Sequence, residues 1–244
     1  MELFFIKNKS LEKKVKNTTR ITQFDKNWIL YEDKDIIIVN KPGTVPIQKD
    51  SSKDLSLFEL VHQYCGGDLQ LIHRLDRPVS GAVVFAKHLK AAIPLFLQFE
   101  QRSVQKMYFA IVHNKPLLSK GTLLHYLEKS SKYNRSVAHL EERPNTKKAI
   151  LEYEIIGENE NFHLLKVTLH TGRHHQIRVQ LDAIDCSIRG DAKYGFRRAN
   201  KDRSINLHSR FLRIAHPITK KEISVVAPFP TAPIWTSFKP YKES

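Results

Sequence analysis

Asp76 stands between two arginines in Leu71-Ile72-His73-Arg74-Leu75-Asp76-Arg77-Pro78-Val79-Ser80-Gly81, directly before an apolar run from Gly81 to Ala86. Arg74 and Arg77 would hold such a carboxylate ionised, because nearby positive charge favours the anion. An ionised aspartate can act as a nucleophile or as a general base. Pro78 to Gly81 can shape a turn, which sets Asp76 on a loop fixed by the strand behind it. The same residues would equally serve a surface ion cluster capping a strand.

Two other segments could share that chemistry. In Gln105 to Val112, a strand would place Lys106, Tyr108, Ala110 and Val112 on one face, and Met107, Phe109 and Ile111 on the other. Tyr108 then forms either an aromatic wall beside a polar group or a half-buried core tyrosine. In His170 to Arg178 (HTGRHHQIR), a strand meets a turn and then a helix. Helix N-termini offer unpaired N–H groups to a phosphate or a carboxylate. His170 and His174 are four apart, but Thr171-Gly172 breaks the helix that would align them, and the ligand set is poor for a catalytic metal.

The elements that must hold these segments are legible from periodicity. Trp28 to Tyr31 and Ile36 to Val39 form a hairpin, which Lys41-Pro42-Gly43 ends. Ser56 and Glu59 have capping-box spacing, so a helix follows with Leu57, Leu60, Val61 and Tyr64 on one face and Gly66-Gly67 at its end. Gly81 to Ala86 is a buried strand. Leu89 to Arg102 reads as a helix through Leu89, Ile93, Phe96 and Leu97, with Pro94 kinking it or marking its start. Met107–Val112, Ala149–Ile156, Phe162–Leu169, Phe211–Ala215 and Glu222–Val226 are strands, and Ile177, Leu181 and Ile184 mark a helix. Strands outnumber helices, which points to an α+β fold with a long, mixed, mostly antiparallel sheet flanked by helices.

Lys and Arg number 40 against 25 Asp and Glu, a net charge of +15 that favours a polyanionic partner such as RNA or DNA. From Arg173 to Arg213 the basic residues continue, with Tyr194 and Phe196 among them, as on a nucleic-acid face. No apolar run reaches the roughly 18 residues of a membrane span, so no membrane partner is expected. Only Cys65 and Cys186 are present, which excludes a disulfide framework and favours a reducing cytosol. Residues 1–25 read as a basic extension and residues 26–244 as one catalytic domain.

HRLDRPVSGAVVFAK resembles the signature of the RluA-type family of RNA pseudouridine synthases. YEDKDIIIVNKPGTVP is similar to that family's opening hairpin and NKP turn, VQKMYFAIV to its KxY strand, and TGRHHQIRVQL to its TGRxHQIR junction. GDAKYG and LHSRFLRIAHPIT resemble its closing motifs, in the family's order. Gln180 stands where the family often has His, and Asp185-Cys186-Ser187 replaces a Gly-His-Pro-like turn. The S4-type RNA-binding module that some members carry is not expected, with so few residues before the first motif.

The resemblance implies the pseudouridine synthase fold, with a central RNA cleft, and an isomerase that converts specific uridines of ribosomal or transfer RNA. Asp76 would be the catalytic aspartate, Tyr108 would contact the target base, and Arg178 would pair with Asp76, bidentately if it is to keep the carboxylate charged and aimed. Arg74 would fill the space left by the extruded nucleotide. His73, Arg77, Lys106, Arg173, His175 and Gln176 are the further expected RNA contacts. An isomerisation has no net redox change, so no cofactor and no metal are implied, and a cytoplasmic monomer is the default. Two other functions would use the same residues: a catalytically inactive RNA-binding or ribosome-assembly factor on this fold, and an RNA hydrolase using Asp76 with a metal.

Overall fold

A computed structural model describes residues 21–130 and 132–238 of the protein. The basic extension through residue 20 lies outside the described residues. Of its last five positions, Phe24 packs edge-on to Trp28 at 5.6 Å and stacks on Tyr64 at 4.8 Å, so the chain joins the core before residue 26.

The opening hairpin forms as expected, with β1 at Ile29–Glu32 and β2 at Ile36–Lys41. Asp33 closes its turn, accepting the Asp35 and Ile36 N–H groups at 2.8 and 2.9 Å. Helix α1 (Leu57–Cys65) carries the predicted capping box, since Ser56 and Glu59 each bond the other's backbone N–H. Strands β3 (Gln70–Leu71) and β4 (Ser80–Ala86) flank the Asp76 loop, and α2 (Leu89–Glu100) follows. Next come β5 (Gln105–Val112), β6 (Lys120–Ser130), β7 (Arg135–His139), β8 (Thr146–Glu158) and β9 (His163–Leu169). The chain ends through α3 (Gln176–Asp182), β10 (Leu207–Ala215), β11 (Glu222–Val226) and α4 (Pro233–Thr236).

The 11 strands among the described residues join one sheet in the order β1-β2-β4-β10-β5-β9-β8-β6-β7, with β3 beside β4 and β11 beside β10. Every pairing is antiparallel except β4 with β10. That one parallel contact depends on Gly81, whose φ is +117° and whose absent Cβ would lie 2.3 Å from the Ser209 carbonyl oxygen. A side chain there would push the two central strands apart.

The four consecutive apolar residues of β2 serve both faces of the sheet. Ile37 and Val39 join the core under α1 and α3, whereas Ile36 and Ile38 join the one under α2. Strand β5 splits as its alternation predicts: Tyr108, Ala110 and Val112 enter the first core, and Phe109 and Ile111 a third, with Trp235 and Phe238.

Two features of the structure depart from the sequence pattern. Helix α2 buries Ala91, Ala92 and Leu95, while Leu89, Ile93, Phe96 and Leu97 are the exposed side. Small alanines let the helix lie close to β4, and the larger residues are left outward. The helix also begins five positions before Pro94, at Leu89, capped by His88, whose Nδ1 accepts the Ala91 N–H. Strands β6 and β7 were not expected at all, because their apolar residues form no continuous run or clean alternation. Their register comes from β8, against which β6 pairs from Lys120 to Glu128.

Candidate active site

Asp76 lies on the loop between β3 and β4, and that loop is held from beneath by a lysine. Lys41 is fully buried, and its Nζ donates to the carbonyls of Pro42, Arg77 and Val79 at 3.0, 3.0 and 2.7 Å. Burial pushes its pKa down to about 7, against the pull of the Asp76 charge. The Val79 N–H bonds the Asp76 carbonyl at 3.0 Å, the Thr44 N–H bonds that of Arg77, and the Ile205 N–H that of Pro78. The loop is therefore fixed on both sides of the aspartate.

Arg178 reaches it from the first turn of α3. Its Nη1 donates to Asp76 Oδ2 at 2.9 Å. The expected bidentate pair exists, but with a different carboxylate: Nε and Nη2 fork onto Asp191 at 2.6 and 2.9 Å. Asp191 is 1% exposed and Arg178 5%. Burial works against the guanidinium charge, but the hydrogen bonds and charges of Asp191 and Asp76 outweigh it and raise the pKa above the ordinary arginine value. Asp191 thus aims Arg178, and Arg178 presents one nitrogen to Asp76.

Tyr108 is buried on the adjoining face of β5 in the same core as Leu75 and Val79. Burial pushes its pKa up to about 12; a hydrogen bond with Ser209 opposes the rise, and the charge of Asp76 adds to it. Tyr108 is thus a core tyrosine close enough to Asp76 to feel its charge.

His175 closes the site from the other side. Its Nε2 is 3.6 Å from Asp76 Oδ2, and its Nδ1 is 2.8 Å from the hydroxyl of Tyr194. Tyr194 is fully buried, with the guanidinium groups of Arg178 and Arg135 at 4.9 and 5.1 Å from its ring centre. Burial pushes the His175 pKa down to about 3, against the attraction of Asp76.

The remaining expected contacts separate into two groups. Arg74 is exposed beside Asp76 and has no hydrogen bond or ion pair among the described residues. Lys106 is half-buried, with its Nζ 5.4 Å from the Phe99 ring centre and close to Gly172. Arg173 is half-buried and gives its Nε–H to the Lys148 carbonyl. The others are committed within the protein. His73 accepts the Val84 N–H at 3.2 Å and stacks on Phe99 at 4.5 Å. Arg77 turns away from Asp76, donating to Thr44 and pairing with Asp50 and Asp54. Gln176, 3% exposed, bonds Thr171, the Arg173 N–H and the Ile150 carbonyl, so it braces the turn into α3 and does not face a ligand.

Asp191, Tyr194 and Lys41 were missed as site residues, although all three lie in quoted motifs. Asp191 could have been found as a lone acid beside glycine within a strongly basic stretch, where a buried cation must have a partner. Gln180, a departure from the family pattern, is wholly buried, and its amide nitrogen donates to the Leu123 and Ala149 carbonyls.

Two solved human structures share this architecture: RNA Pseudouridylate Synthase Domain Containing 1, at TM-score 0.71 and 25% identity over 84% of each chain, and Domain Containing 4, at TM-score 0.68 and 26% identity over 84% of this chain and 89% of that one. The fold therefore places the protein in the class of pseudouridylate synthase domains. The sequence agrees in more detail. The family model described as RNA pseudouridylate synthase matches residues 35–183, and the chain belongs to that family. It is 32% identical over 212 residues to ribosomal large subunit pseudouridine synthase C of Rickettsia prowazekii, covering 84% of this chain and 68% of that protein. An uncharacterized RNA pseudouridine synthase of Bacillus subtilis is 33% identical over 221 residues, covering 86% of this chain and 71% of its own. The protein is an isomerase that acts on uridine in RNA.

Proposed function

We propose that the protein converts a uridine of large-subunit ribosomal RNA to pseudouridine, with Asp76 as the reacting carboxylate. The observation that carries this reading is the 2.9 Å contact from Arg178 to Asp76 Oδ2, which leaves Oδ1 without a protein donor among the described residues. The relative from Rickettsia, named for the large ribosomal subunit, supports that choice of RNA.

The reaction breaks the N1–C1′ bond, turns the detached uracil, and joins its C5 to C1′. The proton on C5 is lost, and N1 ends with a proton, so the product is an isomer of the substrate. Asp76 acts at the ribose, as nucleophile at C1′ or base at C2′, and either role needs the ionised form. Arg178 stabilises that form, and Tyr108 offers a flat surface on which the free uracil turns. The uridine must leave its stack to reach Asp76, and Arg74, exposed and without a side-chain partner among the described residues, fills the gap. Exposed Lys193, Arg197, Arg198, Lys201 and Arg203 give the RNA backbone a basic track. The basic extension adds to this capture, and the enzyme works as a monomer in the cytosol.

Mapping of pseudouridine across all RNA of cells with and without the gene tests the assignment. Loss of one large-subunit site in the deleted strain supports it. Loss confined to transfer RNA overturns the choice of substrate.

A further inference from the structure

We propose that His175 is a positioning residue of the reaction: its Nε2–H, held in one tautomer by Tyr194, secures Asp76 Oδ2 as the ribose seats and leaves Oδ1 to react. This inference rests on the role proposed for Asp76.

The argument begins at Tyr194. Its hydroxyl oxygen accepts the Ser136 N–H at 2.7 Å, and the hydroxyl has a single proton to give. His175 Nδ1 lies 2.8 Å away, and Nε2 faces the Asp76 carboxylate. A carboxylate beside Nε2 favours the tautomer with its proton there, which leaves Nδ1 to accept the proton of the Tyr194 hydroxyl. At 3.6 Å from Oδ2 the contact is longer than a hydrogen bond. Catalytic contacts are often this long before substrate arrives, and they shorten in the loaded site.

The ring is not free to turn elsewhere. His175 has a left-handed backbone, with φ +54°, and makes no side-chain cap to α3. His174 stacks on it at 3.7 Å and is itself tied to Ser136 and Asn134. With 9% exposure and Nδ1 occupied, His175 is poorly placed to contact RNA directly. Both donors, His175 and Arg178, address the same oxygen of Asp76. A carboxylate tied at one oxygen presents the other in a fixed direction.

The test uses the full-length protein and total RNA from cells lacking the gene, which contains the substrate whichever RNA it is. Single-turnover pseudouridine formation at rising enzyme concentration gives a saturating rate and a half-saturating concentration. His175→Ala should slow the saturating rate about 10- to 100-fold, the range typical of a partner that orients a reacting group, and leave half-saturation within about threefold. His175→Gln, whose amide N–H can stand where Nε2 stands, should restore most of that loss. Tyr194→Phe should fall between them, since it frees the tautomer without touching Asp76. If His175→Ala unfolds, the Gln and Phe variants decide the matter.

Wild-type rate in His175→Ala overturns this inference alone, as does equal slowing in the Ala and Gln variants, or a change confined to half-saturation. Turnover by Asp76→Asn removes the role of Asp76, and a wild-type enzyme inert on this RNA removes the functional reading; either takes the inference with it.

Discussion

Nη1 of Arg178 lies 2.9 Å from Oδ2 of Asp76, although 102 positions separate the two in sequence. The sheet closes that distance. Asp76 leaves the loop before β4, Arg178 comes from the helix after β9, and β10 and β5 stand between those strands. The other edge of the guanidinium is fixed on Asp191, so one cation serves a buried carboxylate and a more accessible one. Only the accessible carboxylate is free to do chemistry.

Asp76→Asn keeps the size of the side chain and removes its charge. Pseudouridine formation should fall below detection in a base-specific labelling assay, while RNA affinity stays within about threefold. Arg178 still has Asp191, so the fold should survive. Substantial turnover would remove the carboxylate from the mechanism.

Arg178→Lys separates aiming from charge. A lysine is a point donor and can reach Asp191 or Asp76, not both in their present geometry. The rate should fall at least about 100-fold, as for a reacting group displaced by an ångström. Stability should drop by about 3 kcal/mol, because Asp191 loses its fork in a buried site. Urea unfolding and single-turnover assays on the same preparation check both, and an unchanged rate would show that charge alone suffices.

Tyr108 makes the ring and the hydroxyl separable. Tyr108→Phe gives up the hydrogen bond with Ser209 at a cost of about 1 kcal/mol, and the ring face remains. Tyr108→Ala empties a buried ring site and should cost about 3–5 kcal/mol. Turnover should follow the ring, with the Phe variant well ahead of the Ala variant at saturating enzyme. Equal losses would mean that the hydroxyl, not the ring face, matters.

The sequence made the central strands and the aspartate legible because their signals are local. Four buried apolar residues in β2, the alternation in β5 and the Ser56–Glu59 box each speak within a few positions. The helix α2 failed this test: its large apolar residues repeat at helical spacing, but the small alanines fit against β4 and took the core. Strands β6 and β7 stayed hidden because partner strands, not composition, fix their register. In the site, Asp76 and Arg178 were legible as motif residues. The fork to Asp191 and the Tyr194–His175 link were not, since they depend on which way buried side chains turn. Arg77 misled for the same reason: it neighbours Asp76 in sequence, and its donors go to Thr44, Asp50 and Asp54.

Gly81→Ala should damage the fold rather than the chemistry. The added methyl would meet the Ser209 backbone at 2.3 to 2.7 Å, and the φ of +117° is one that alanine rarely adopts. Strain and clash together should cost at least about 3 kcal/mol. Shortening Ser209 to alanine would bring no relief, because the obstacle is backbone. A soluble Gly81→Ala protein with wild-type urea midpoint would mean that β4 and β10 are not paired this way.

Acid should unfold the protein early, and buried imidazoles set the range. Burial pushes His73 and His175 down to about 3 and His208 to about 4, against an ordinary value of 6.5. Each also has a ring nitrogen acting as acceptor: His73 for the Val84 N–H, His175 for the Tyr194 hydroxyl, and His208 for the Ser80 hydroxyl while its Nε2 donates to the Ala227 carbonyl. Protonating any of them breaks that bond. Between about pH 6 and 4 the unfolded chain therefore binds more protons than the folded one, so stability is full above 6.5 and lost as pH falls. Each imidazole contributes about 1.4 kcal/mol per pH unit, and the three together a slope of up to about 4. Urea midpoints measured from pH 7 to pH 4 should fall steeply through this window. His73→Gln, which keeps an acceptor for the Val84 N–H but cannot titrate, should flatten the slope by about one proton's share. A stability constant from pH 7 to 4.5 would mean that these rings titrate as they do in solvent, and that the burial of the histidines beside Asp76 and β4 is not what the structure indicates.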